Sequence, residues 1–209
     1  MKLLFIVDAL ATLKPYKDSS VAIMRAAQAR GHAVFAGETA DLGLRDGQAL
    51  AACVALDVRS SEDWYTAAAP ATLALTDFDA VLMRTDPPVD TDYLLATQLL
   101  DVAVKNGVRV LNRPAALRDF NEKLAILNFP QFIAPTLVSA KISDIAAFLT
   151  AHADIIVKPL TEMGGSGIFR LTAVDPNRNA ILETLTQRGR RPIMRSAICL
   201  KSHRAINAS

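Results

Sequence analysis

Leu3-Leu4-Phe5-Ile6-Val7 is an unbroken apolar run that stops at Asp8. It has neither helical spacing nor a one-sided alternation, so it suits a strand buried on both faces of a parallel sheet. Asp18-Ser19-Ser20 then supplies a helix start. Val21, Met24 and Ala27 follow at helical spacing, and Gly31 marks the stop. Residues 32–36 predict a second strand, and residues 78–83 another that ends at Arg84. Residues 93–105 fit an amphipathic helix closed by Asn106-Gly107, and residues 108–111 follow as a strand. This alternation predicts an α/β layer with a mostly parallel, Rossmann-like sheet.

Beyond residue 112 the spacing changes. Residues 117–129 fit one helix with Lys123 in its middle, and residues 136–139 a short strand. Ser143 caps a helix reaching about residue 151, and two strands, 154–158 and 168–171, flank a glycine-rich connection. The change places a boundary near residue 120, between a front domain over 1–120 and a second domain that begins at 121. Trp64 and Tyr65, beside Glu62 and Asp63, read as a packed helix face.

The bulk numbers narrow the function classes. The 209 residues carry a formal net charge of only +2, with charges interspersed, so no electrostatic footprint for nucleic acid or an acidic membrane is expected. Only the far end is basic, with Arg188, Arg190, Arg191, Arg195, Lys201 and Arg204 close together. Cys53 and Cys199 lack metal-type spacing and fit a reducing, cytoplasmic compartment. The opening apolar run is too short for a membrane span. His32, His152 and His203 are scattered and read as structural or surface residues.

The stretch Lys158-Pro159-Leu160-Thr161-Glu162-Met163-Gly164-Gly165-Ser166-Gly167 carries the most chemistry. A lysine closes a buried strand, and glycines follow that would let backbone N–H groups approach phosphate oxygens while the lysine supplies a cation. A plain glycine hairpin with a solvated Lys158 explains the same residues. It is not a P-loop, because the lysine precedes the glycines. Val7-Asp8 also lacks the G-x-G-x-x-G turn of a dinucleotide-binding oxidoreductase.

Order adds what no single loop supplies. Arg118 to Lys123, then Lys158-Pro159-Leu160, then Met163 to Arg170 resemble the ATP-grasp ligases, specifically the bacterial glutathione synthetase family. Met83-Arg84-Thr85-Asp86-Pro87-Pro88 and Lys17-Asp18-Ser19-Ser20 are similar to that family's front domain, and the likeness runs to Met194. The resemblance implies a Rossmann-like pre-ATP-grasp domain followed by the first part of an ATP-grasp domain over 121–194. It implies ATP as co-substrate with Mg2+, and γ-glutamylcysteine and glycine as the small molecules joined through an acyl phosphate. It allows a homo-oligomer in full-length relatives. Lys123, Lys158, Gly164, Gly165, Ser166 and Gly167 match the positions that face ATP phosphates. Arg84, Asp18, Ser19 and Ser20 match positions facing the dipeptide. Helix capping explains Asp18-Ser19-Ser20 equally well, and an ion pair with Asp86 or Asp90 would explain Arg84. No catalytic residue is assignable, and the metal ligands of relatives are expected beyond the end of this chain. A non-catalytic nucleotide- or peptide-binding fragment is the alternative function.

After Met194 the pattern departs from the family, which continues with Ala-Gln-Arg-Tyr-Leu-Pro-Glu-Ile. One choice of codons for that continuation, read one base out of frame, translates into the whole of 195–209. Residues 195–209 are therefore expected to be a frameshifted, non-homologous tail on a truncated chain that is inactive alone. A genuine basic arm is the other explanation.

Overall fold

The computed structural model describes residues 1–162 and 164–198. Met163, Cys199, Lys201, His203 and Arg204 lie outside them. The chain divides into two compact units, one over Met1–Asp119 and the other from Phe120.

In the first unit, β1 (Lys2–Ile6) leads to α1 (Ser19–Ala29) and β2 (Ala33–Gly37). Four strands follow: β3 (Leu42–Arg45), β4 (Gln48–Val58), β5 (Tyr65–Ala67) and β6 (Ala71–Ala74). The unit closes with β7 (Ala80–Met83), α2 (Thr91–Lys105), β8 (Val110–Leu111) and α3 (Pro114–Asp119). The sheet order is β3-β4-β2-β1-β7-β8, with β5 and β6 also paired to β4. β1 is parallel to β2 and β7, and β8 is parallel to β7, whereas every pairing of β4 is antiparallel. The sheet is thus mixed rather than mostly parallel.

β1 shows why its run is apolar throughout. Leu4 and Ile6 join the core beneath α2, with Tyr93, Ala96 and Leu100, while Phe5 and Val7 join the core beneath α1, with Val21, Met24 and Ala27. Each such side chain contributes roughly 1.5–3 kcal/mol by leaving water. Both helices stop in the same way. His32 N–H reaches Ala27 O at 3.1 Å, and Val108 N–H reaches Ala103 O at 3.0 Å. The intervening Gly31 and Gly107 take positive φ, which these terminal motifs require.

Trp64 and Tyr65 are not on a helix. Trp64 is buried just before β5 and tilts against Tyr65, as suits residues that favour strands. At the end of β2, a Cβ added at Gly37 would lie 2.8 Å from the backbone oxygen of Ala52 on β4. Gly37→Ala is therefore expected to push the two strands apart and destabilise the unit by about 1–3 kcal/mol. Urea unfolding followed by the fluorescence of Trp64, the chain's only tryptophan, would measure it.

The second unit contains β9 (Thr136–Ser139), α4 (Ile142–His152), β10 (Asp154–Pro159), β11 (Phe169–Thr172), α5 (Arg178–Leu185) and β12 (Ile193–Ala197). Its sheet, ordered β11-β10-β12-β9, is antiparallel throughout. α4 and α5 cover one face through Ile145, Leu149 and Leu182, against Ile155, Val157, Leu171 and Ile193. Lys141, not Ser143, is the residue before α4, and no side chain caps that end.

The single helix expected over 117–129 is broken. α3 stops at Asp119, and a short 3-10 turn resumes at Leu124. Asn121 explains the gap, since its Oδ1 accepts the N–H groups of Lys123 (3.0 Å) and Leu124 (3.1 Å) and so competes with helical bonding. Arg195, Ser196 and Ala197 belong to β12, so the strand runs into the stretch that the sequence sets apart as a tail.

Candidate functional site

The expected site residues fall into two groups, one in each unit. In the first unit, the chain passes from β1 through α1 to β2 on one side, while β7 lies on the other side of β1. Open α/β sheets bind ligands at the carboxyl ends of strands where the order reverses in this way. Asp8 follows the end of β1. Arg84 N–H donates to Ile6 O at 2.7 Å, which brings Arg84 out at the same level.

Arg84 reaches the start of α1. Its Nη2 donates to Ser19 Oγ at 2.7 Å and its Nε to Ser20 Oγ at 3.2 Å. Asp18 accepts from the N–H groups of Ser20 (2.7 Å) and Val21 (3.2 Å), so it is the helix cap while also lining the site. Neither suggested ion pair of Arg84 forms: none joins it to Asp86, and Asp90 instead caps α2 through Tyr93 N–H at 2.9 Å. Around these groups is a cavity of about 430 Å³, with Asp8, Lys14, Lys17 and Asp86 in its walls. Asp86 N–H donates to Asp8 Oδ2 at 3.1 Å. Burial, then the carboxylates of Asp8 and Asp18, push the Asp86 carboxyl above its usual range, and Arg84 partly offsets them.

The second group gathers around the β10–β11 hairpin. Lys158 lies on β10 opposite Met194 of β12. Lys123 Nζ donates to the backbone oxygen of Glu162 at the entrance to the glycine loop. Asn121 Nδ2 donates to Leu160 O at 2.9 Å, so the Asn121–Lys123 segment is fastened to the loop's base twice. Gly164, Gly165 and Gly167 all take positive φ. Gly164, Gly165 and Ser166 are exposed, with open space where Cβ atoms would stand on the first two. Such a turn leaves N–H groups accessible to anionic oxygens. Gly167 is different, since a Cβ there would meet Pro159 Cγ at 2.8 Å.

Asp8 and Lys14 were not named as site residues from the sequence, and Asp86 was named only within the Met83–Pro88 motif and as a possible partner of Arg84. Asp8 and Asp86 are 78 positions apart and meet only because β1 and β7 are neighbours. For Asp8 the signal available was the termination of an apolar strand by an aspartate. Cys53 is free and buried, and burial first, then Asp41, raises its thiol. His32 follows the end of α1, and His152 packs against Phe148 at the end of α4. Among the described residues, no group of three or more His, Cys, Asp or Glu could hold a metal ion. None of the described residues is assigned to Mg2+.

Comparison with known proteins places this architecture. An ATP-grasp RimK-domain protein from Sphaerobacter thermophilus superposes with a TM-score of 0.57 at 19% identity, covering 95% of this chain and 64% of that one. This chain has the fold of the matching part of that ATP-grasp protein. Family profiles are more specific: "Prokaryotic glutathione synthetase, N-terminal domain" matches residues 1–118, and "Prokaryotic glutathione synthetase, ATP-grasp domain" matches residues 122–201. Glutathione synthetase of Neisseria meningitidis serogroup A is 50% identical over 199 residues, covering 93% of this chain. That of Bordetella pertussis is 48% identical over 200 residues, also covering 93%. The chain belongs to the prokaryotic glutathione synthetase family. It spans about 63% of the length of these two relatives.

Proposed function

We propose that this chain supplies the dipeptide-holding unit and part of the phosphate-facing unit of an ATP-dependent peptide-forming ligase. The reaction joins glycine to γ-glutamylcysteine. The dipeptide's cysteinyl carboxylate attacks the γ-phosphorus of ATP, giving an acyl phosphate and ADP. Glycine's amine then attacks the acyl carbon, phosphate leaves and the amine proton is lost. Family membership supports this reading, and the observation that carries it is Arg84, held by two serine hydroxyls in a cavity at the reversal of strand order. Arg84 with Ser19 and Ser20 would orient a carboxylate of the dipeptide. Lys123, Lys158 and the N–H groups of Gly164 to Gly167 would take phosphate oxygens, as oriented cations and dipoles do wherever charge is transferred. A cytoplasmic location accords with the free Cys53. No helix among the described residues is long and apolar enough to cross a membrane.

The purified chain is expected to bind γ-glutamylcysteine saturably, to bind ATP with a Kd of about 1 mM or weaker, and to form no glutathione. Calorimetric titration with each ligand and a chromatographic assay for glutathione would check this. Glutathione formation would overturn the expectation of inactivity. Absence of dipeptide binding by a folded chain would overturn the reading of the cavity. Saturable ATP binding alone, without turnover, would favour a non-catalytic nucleotide-binding fragment.

A further inference from the structure

The cavity at the ends of β1 and β7 holds charges of both signs that, among the described residues, form no ion pair with one another. Arg84 is engaged by hydroxyls, and among the described residues no carboxylate lies within ion-pair distance of it. Asp8 and Asp86, on the same cavity wall system, likewise have no cation within that distance. They are held together through the Asp86 N–H bond to Asp8 Oδ2. Opposite charges in one cavity ordinarily collapse onto each other unless the frame holds them apart. Here the frame does so, with Arg84 turned to Ser19 and Ser20 of α1 and Asp8 accepting from the Asp86 N–H.

From this charge separation we infer that Asp8 and Asp86 form a subsite for the α-ammonium of a γ-glutamyl group, making the cavity selective for a zwitterionic head. The inference rests on the reading that this cavity takes γ-glutamylcysteine. An α-amino acid head carries its ammonium and carboxylate on one carbon, so its two subsites must be adjacent. Arg84 and Asp86 are two positions apart at the end of β7, which meets that requirement. The chemistry also assigns the ends of the ligand. The cysteinyl carboxylate must be free to react, so the glutamyl head is the end available for a fixed cradle. The negative field that Asp8 and Asp18 impose on Asp86 is one that an arriving ammonium relieves.

The test compares γ-glutamylcysteine with glutarylcysteine, the same molecule without its α-amino group, by calorimetric titration of the full chain. The unsubstituted chain is expected to bind glutarylcysteine about tenfold more weakly or worse. Asp86→Asn and Asp8→Asn, near-isosteric changes, should each weaken γ-glutamylcysteine while leaving glutarylcysteine unchanged or slightly tighter, so that the preference shrinks. Equal affinity of the two ligands for the unsubstituted chain would overturn the ammonium subsite and leave the dipeptide reading standing. A preference that survives both substitutions would overturn the assignment to these aspartates. If γ-glutamylcysteine fails to bind a chain shown folded by circular dichroism, the dipeptide reading and the subsite fall together.

Discussion

Replacing Arg195 with methionine is expected to stabilise the second unit by about 2 kcal/mol, seen as a higher urea midpoint. Arg195 is fully buried on β12, between Val157 of β10 and Leu137 of β9. It shares the face of Ile193, and so points into the core beneath α4 and α5. Its Nη2 donates to Ser139 O at 2.7 Å and to Ile193 O at 3.3 Å, but Nε and Nη1 have no partner. No carboxylate pairs with it among the described residues. Burial pulls the guanidinium down to about 10, with Asp144 opposing only in part.

A base whose folded pKa is depressed destabilises the fold wherever it must be charged. Here the penalty is complete below about pH 10 and is relieved as pH rises from there towards the unfolded value. That shift corresponds to roughly 3 kcal/mol at neutral pH. Removing the side chain also forfeits the Nη2 bonds, worth about 1 kcal/mol, which leaves the net gain near 2. Methionine has a similar volume and a flexible apolar stem, so no large cavity remains. The advantage of the variant should narrow above pH 10. Trp64 lies in the first unit, so its fluorescence serves as an internal control, and far-UV circular dichroism or hydrogen exchange follows the second. An unchanged or lower midpoint for the second unit would show that the fold tolerates the buried guanidinium.

Arg195 stands in the stretch expected from the sequence to be a tail, yet the ATP-grasp family profile matches residues 122–201 and β12 is paired on both sides through it. An unsatisfied guanidinium at that core position is a cost that an apolar replacement removes. Arg195→Ala should therefore stabilise too, though less than methionine because of the space left behind.

What could be read from the sequence divides along physical lines. β1, α1 and α2 were legible because each carries its own signal: a run buried on both faces, an aspartate cap, a glycine stop. β3 to β6 were not assigned. β4 carries four alanines among its 11 residues, Ala49, Ala51, Ala52 and Ala55, and alanine has little strand preference. Its partners supply the case for a strand, and they are remote in sequence. The apolar spacing of residues 117–129 did look helical, but a single Asn121 side chain outweighed it locally. At the site, Arg84 and the Asp18–Ser20 segment were recognisable as motifs. Their contact, across 64 and 65 positions, depended on β7 lying beside β1. For the same reason the part of Asp8 was invisible until the strand order was known.

Arg84→Ala is expected to weaken γ-glutamylcysteine binding about 100-fold, with the stability of the first unit nearly unchanged. Arg84 is half-buried and its guanidinium spans two hydroxyls, so its direction is fixed before any ligand arrives. A carboxylate meeting such a group gains charge-assisted bonds without first ordering a flexible chain, and truncating one partner of such a pair typically costs about 2–5 kcal/mol. A loss of 100-fold corresponds to about 2.7 kcal/mol, within that range. Stability should change little, because Ser19 is exposed and the cap of α1 comes from Asp18, which the substitution leaves in place. Arg84→Lys should recover only part of the affinity, since an ammonium cannot hold both hydroxyls and present a planar edge to the ligand. Calorimetric titration of the three proteins, each with a matched urea melt, separates binding from folding. Full affinity in Arg84→Ala would remove Arg84 from the dipeptide site. An equal loss of affinity and stability would make its role that of a strut between β7 and α1.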